Sequence, residues 1–97
     1  MKSPVYHPVS RQKRKAMKFS LYSHAALNVD VPMHGLRRGD VVTLVDFLEA
    51  RDELPNAYVC EVFNAVGETI AVITVQEPDL MALTAHEILH TRLLVAA

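Results

Sequence analysis

His86-Glu87-Ile88-Leu89-His90 is the stretch whose residue types and spacing come nearest to catalytic chemistry. On a helix, an H-E-x-x-H run places two imidazoles one turn apart. They can then share a zinc ion while the Glu serves as general base. Only seven residues follow His90, so a third ligand has to come from elsewhere. A 97-residue chain also has little bulk for a substrate cleft beside such a helix. In extended backbone the two histidines lie about 13 Å apart at ~3.3 Å per residue and cannot chelate one ion. Three fixed positions in five residues also arise by chance, so the match is read as coincidence. Zinc-dependent hydrolysis through His86, Glu87 and His90 is kept as an alternative.

The remaining candidates are thinner. His7, His24, His34, His86 and His90 are scattered, and one cysteine forms no Cys/His grouping for structural zinc. Cys60, in phase with Tyr58 and Val62, reads as a small buried hydrophobe rather than a nucleophile. Arg37 and Arg38, between Gly35 and Gly39, have the means to clamp a phosphate or carboxylate, against the plainer reading of solvated loop charges. Asp46, Glu49, Asp52 and Glu53 cluster near the end of one predicted strand and in the loop after it, where acids can steer a basic partner. Tyr22 and Tyr58 are candidates for a ligand groove, with core or cross-strand packing the favoured role. Walker loop, dinucleotide fingerprint and nucleophile elbow are all missing. No cofactor and no enzymatic activity are expected.

Composition narrows the class. Ninety-seven residues, 51% hydrophobic and 22% charged, suit one globular domain. Such a chain buries roughly 60–65% of its unfolded surface. No run reaches the roughly 18 apolar residues of a membrane span. Ser20, Ser23 and His24 interrupt what would be the apolar part of a signal peptide. The single cysteine points to a reducing cytoplasm. The net charge of −1 hides a division. Residues 1–18 hold Lys2, Arg11, Lys13, Arg14, Lys15 and Lys18 and no acid, a net of +6. The rest holds Arg37, Arg38, Arg51 and Arg92 against eleven Asp and Glu, a net of −7. Such a body repels phosphate backbones and favours a basic partner. The basic run, with Pro4 and Pro8 and no apolar periodicity, reads as a disordered arm over residues 1–18. Weak RNA binding through that arm is a further alternative. Met17, at the junction, is an alternative translation start.

The elements that must position these residues are strands. Gly35-Leu36-Arg37-Arg38-Gly39-Asp40 is a loop, and the β-branched run after Asp40 predicts a strand over Asp40–Phe47. Before it, Phe19–Val31 reads as a first strand, and Pro32 opens a loop. Residues 49–56 form a charged hairpin loop. Ala57–Phe63 is a third strand with Tyr58, Cys60 and Val62 on one face. Asn64–Gly67 is a turn, followed by a fourth strand over Glu68–Val75. The fourth strand is apolar on both faces, which implies a central position or one wrapped by neighbouring segments. Leu80–Leu83 is a short fifth strand. Residues 84–95 have Thr84 and Glu87 at capping-box spacing, with extended structure favoured over helix. Together this is a mainly β small barrel of about five strands over residues 19–83, with residues 19–97 as one domain.

Pro32-Met33-His34-Gly35-Leu36-Arg37-Arg38-Gly39-Asp40-Val41, then Ala57-Tyr58 and Glu61, then Gly67-Glu68-Thr69-Ile70-Ala71-Val72, resemble a small bacterial family of unknown function, number 4926 in the domain-of-unknown-function series. The resemblance runs over residues 21–92 and takes in the ending Glu87-Ile88-Leu89-His90-Thr91-Arg92. Val42 stands where the family usually has Gly, and Val31 where it has Leu. The resemblance implies a Src-homology-3-like small barrel, no established activity, and a protein partner encoded by a neighbouring gene. With the charge division, it sets the expected function: a cytoplasmic, non-catalytic module that neutralises or escorts a basic partner. Arg37, Arg38, Asp46, Glu49, Asp52 and Glu53 are its candidate contact residues. Exposed barrel edges offer a route to homo-oligomers. Neither specific nucleic-acid binding nor a membrane is expected.

Overall fold

The β-branched run after Asp40 opens the longest strand in a computed structural model that describes residues 17–94 and the backbone at His7 and Pro8. The strands are β1 (His7–Pro8), β2 (His24–Leu27), β3 (Val41–Glu49), β4 (Ala57–Phe63), β5 (Thr69–Gln76) and β6 (Leu80–Met81). Every pairing is antiparallel, in the order β5-β4-β3-β2-β6. β1 adds to β3 at Leu48 and Glu49, where β2 has run out. The sheet curls into a half-barrel, with 3₁₀ turns at Pro32–His34 and, before β6, at Glu77–Asp79. Strand order and the second 3₁₀ turn are consistent with a Src-homology-3-like barrel. The mainly β fold and the hairpins of β3, β4 and β5 follow the sequence reading. The expected arm over residues 1–18 lies outside the described residues except at its His7–Pro8 rung and at Met17 and Lys18.

β3 is a continuous strand with one irregularity that decides its faces. Val42 and Leu44 point into the core, and strict alternation would send Asp46 after them. A bulge between Leu44 and Asp46 adds a residue and shifts the phase. Asp46 therefore turns to solvent, while Phe47 and Glu49 turn inward. From β4 come Tyr58, Cys60 and Val62, and from β5 Ile73 and Val75. Phe19 and Phe47 meet the Tyr58 ring at centroid distances of 5.7 and 5.1 Å. That tyrosine is fully buried, so it belongs to the core rather than to a ligand groove, whereas Tyr22 is exposed. The Tyr58 hydroxyl donates to Glu77 Oε2 at 2.7 Å and accepts the Phe19 N–H at 3.1 Å.

Three elements differ from expectation. The first strand does not run over Phe19–Val31 but occupies only His24–Leu27. Tyr22 takes a positive φ of 64°, and the Ser23 hydroxyl donates to the Ser20 carbonyl, so the chain turns just before β2. The last strand stops at Met81 rather than Leu83. Among the described residues β5 is the end strand of the sheet and not a central one. Its apolar residues on two faces reflect inward Ile73 and Val75 and outward, exposed Val72, while a register shift breaks the alternation at Ile70, which lines the groove shared with the C-terminal segment. Residues 84–94 carry no helix; Thr84 and Glu87 make an isolated turn in an otherwise irregular segment. Among the described residues no helix is long and apolar enough to cross a membrane.

Candidate functional site

The β3–β4 loop is short, acidic and held from below. Asn56 is buried, its side-chain oxygen accepts the Ala50 N–H at 3.2 Å, and its carbonyl accepts the Glu77 N–H at 2.8 Å. These bonds tie the two ends of the loop to each other and to the 3₁₀ turn before β6. Above that base, Arg51, Asp52 and Glu53 are exposed, and Leu54 is 37% exposed. Asp52 sits at φ 59°, a left-handed conformation that Asp tolerates better than most residues. The Leu54 N–H closes the turn on the Arg51 carbonyl at 3.3 Å. The loop is thus a tight acidic knuckle with an apolar side chain at its flank.

The six sequence-predicted contact residues do not gather at one place. Asp46, Asp52 and Glu53 are exposed at the far end of β3, and the Asp46 carboxylate accepts the Phe47 N–H at 2.8 Å. Glu49 is only 6% exposed, turned inward by the bulge, so it presents no charge to a partner and leaves the predicted acidic set. Arg37 and Arg38 lie before the other end of β3, about 26 Å away at ~3.3 Å per residue. There the Arg38 backbone N–H donates to Asp30 Oδ1 at 2.9 Å and its Nε to Asn28 Oδ1 at 2.9 Å. The Arg37 N–H donates to Asp40 Oδ2 at 2.7 Å. Their backbones and the Arg38 head group brace the loop, in which Gly39 takes φ 97° and donates its N–H to the Leu27 carbonyl.

Arg92 is the residue that sequence reasoning did not single out. Its guanidinium grips both carboxylate oxygens of Asp40 and donates to the Gly35 carbonyl at 3.0 Å. This bidentate pair straps the C-terminal segment across an apolar groove lined by Val41, Phe63, Ile70 and Met81. Burial pushes the Asp40 carboxyl up, but Arg92 and the Arg37 N–H together hold it below the ordinary carboxylate range. A depressed pKa stabilises the folded, strapped form above the ordinary carboxylate pKa, and that contribution is lost as pH falls through the lowered value. Acidification, or Asp40→Asn at neutral pH, is therefore expected to speed amide exchange in residues 84–94 while β3 and β4 stay protected. Unchanged exchange in the segment would show that Arg92 does not hold it.

The H-E-x-x-H segment loses the geometry that zinc chemistry needs. Without a helix, His86 and His90 are not set one turn apart, and His90 Nδ1 lies 2.9 Å from the Thr91 carbonyl. Among the described residues no three His, Cys, Asp or Glu side chains come together as a metal site. Cys60 is fully buried, with burial pushing its thiol up to about 12. At neutral pH it is a protonated core residue and a poor nucleophile. Arm-mediated RNA binding rests on residues that lie almost wholly outside the described ones.

In comparison with known proteins, residues 21–82 match the model of a family described as Domain of unknown function (DUF4926). The match ends before the Glu87–Arg92 ending on which the sequence resemblance also drew. No curated protein and no solved structure matches the chain.

Proposed function

Since this chain belongs to the DUF4926 family, whose description carries no activity, its function has to be read from its own surface, and we propose that it is a non-catalytic module that docks a basic protein on the Arg51–Leu54 knuckle. The observation that carries this reading is the exposure of Asp52 and Glu53 on a base fixed by buried Asn56. A rigid base lowers the ordering cost of docking. The two acids and nearby Asp46 steer a cationic surface at elevated on-rate, and Leu54 supplies apolar contact beside them. The net of −7 over residues 19–97 adds long-range attraction of the same sign. In this reading the module neutralises or escorts a partner encoded by a neighbouring gene, in a bacterial cytoplasm, on a Src-homology-3-like scaffold.

The test uses the full chain and the purified product of the neighbouring gene. Asp52→Asn with Glu53→Lys is expected to weaken binding at low salt at least tenfold, chiefly through the on-rate, with thermal stability unchanged because both side chains are exposed and Asn tolerates the left-handed conformation at position 52. Arg51→Glu is expected to strengthen it. Glu49 is left alone, since a substitution there disturbs the core. Binding that ignores both changes, or no binding at low salt, overturns the reading.

A further inference from the structure

The two ends of the sheet are finished differently. β6 is a two-residue strand entered directly from the 3₁₀ turn that contains Pro78, a short edge of the kind that resists pairing. β5 is the opposite case. Its eight residues, Thr69-Ile70-Ala71-Val72-Ile73-Thr74-Val75-Gln76, include no charge, no proline and no glycine. Among the described residues Thr69–Val75 pair with β4 alone, so the other edge of that strand offers free backbone donors and acceptors. The Val29–His34 loop shares a cleft with the C-terminal half of β5 but makes no backbone bond to Thr69–Val75. Val72 is 59% exposed on the outward face, whereas Ile70, at the register shift opposite Val62 and Phe63, lines the groove crossed by the C-terminal segment.

We propose that this edge is the interface for a second copy of the chain, the two β5 strands pairing antiparallel about a two-fold axis at Val72. Charge selects the occupant. The body of each copy carries a net of −7 and repels its twin over most of its surface. β5 itself carries no charge, so the paired strands set no like charges against each other; the nearest acids are Glu61 beside Val72 on β4 and Asp30 and Asp79 in the cleft along its C-terminal half. In an antiparallel pair, opposed residues lie on the same face, so a two-fold axis at Val72 sets Val72 against Val72 and Ala71 against Ile73. Glu68 then faces Gln76 rather than another acid. The interface is isologous and closes at two copies, leaving no free β5 edge to propagate. The acidic knuckle lies at the Gln76 end of β5, beyond the stretch centred on Val72, so self-association and docking of a basic partner use different residues.

Mass measurement in solution on the full chain tests this. The wild type is expected to be a dimer, and Val72→Lys is expected to reduce it to the 10.8 kDa of one chain, with its far-UV spectrum unchanged and a melting temperature that no longer depends on protein concentration. Val72→Cys gives a second readout: oxidation is expected to link two copies at the axis, while Cys60, being fully buried, does not compete. A wild type that stays monomeric at every concentration, a dimer that survives Val72→Lys, or a Val72→Cys dimer whose introduced thiols do not join would each overturn the proposal. Loss of the dimer with partner binding retained separates it from the docking function.

Discussion

Replacing Tyr58 with alanine is expected to cost about 3–5 kcal/mol of folding stability, the range for removing a large aromatic from a packed core. That is a large fraction of the roughly 5–15 kcal/mol that a domain has in total. Tyr58 is fully buried, and it joins parts of the chain that are far apart in sequence. Its ring lies between Phe19 and Phe47, and its hydroxyl connects the Phe19 N–H to the Glu77 carboxylate, which also accepts the Lys18 N–H at 3.2 Å. Tyr58→Phe separates the two contributions. It keeps the ring stacking, strands the Phe19 N–H and removes one of the Glu77 carboxylate's hydrogen bonds, a loss of about 1–3 kcal/mol. Chemical denaturation measures both. If Tyr58→Phe proved neutral, the hydroxyl would not be the bridge between Phe19 and Glu77.

The same hydroxyl sets an alkaline limit. Burial first, then the hydrogen bond to Glu77, raises its pKa from 10.0 to about 12. A raised folded-state pKa means that the neutral phenol stabilises the fold below the unfolded value of 10.0. That contribution is lost as pH climbs towards about 12. Wild-type stability should fall across this window more steeply than that of Tyr58→Phe.

Leu44→Ala is expected to be nearly as damaging, at about 2–5 kcal/mol. Leu44 is fully buried at the last regular position before the β3 bulge. Its backbone accepts the Tyr22 N–H and donates to the Ser23 carbonyl at 3.0 Å, bonds that survive the substitution. What disappears is the side chain that fills the space between the two halves of the curled sheet. β4 on one side and the Tyr22–Ser23 turn on the other hold the backbone there, so the cavity cannot collapse fully. Val45→Ala, one residue further on and half-buried within the bulge, is the control and should cost well under half as much. Equal losses at the two positions would mean that the bulge does not set the inward phase.

The local pattern of the chain determined a good deal. Alternation over Ala57–Phe63 marked that strand at its observed bounds and assigned Tyr58, Cys60 and Val62 to the core face. This follows because a strand's side-chain period is a property of neighbouring residues alone. Gly35, Gly39 and Gly67 marked bends for the same reason, since the strain of a positive φ arises within the residue itself. Tertiary structure decided the rest. Glu49 reads as a surface acid until the bulge between Leu44 and Asp46 reverses the faces of β3, and no residue type announces that bulge. Apolar residues on both faces of β5 are equally compatible with a central strand and with a sticky edge. Only the pairing order, a matter of which strands meet, shows that it is the edge. Arg92 and Asp40 stand 52 residues apart, and nothing in the spacing of either foretells their contact. Such pairs exist because the folded sheet brings the Gly35–Asp40 loop and the C-terminal segment to the same end of the barrel, a proximity that local chemistry cannot encode.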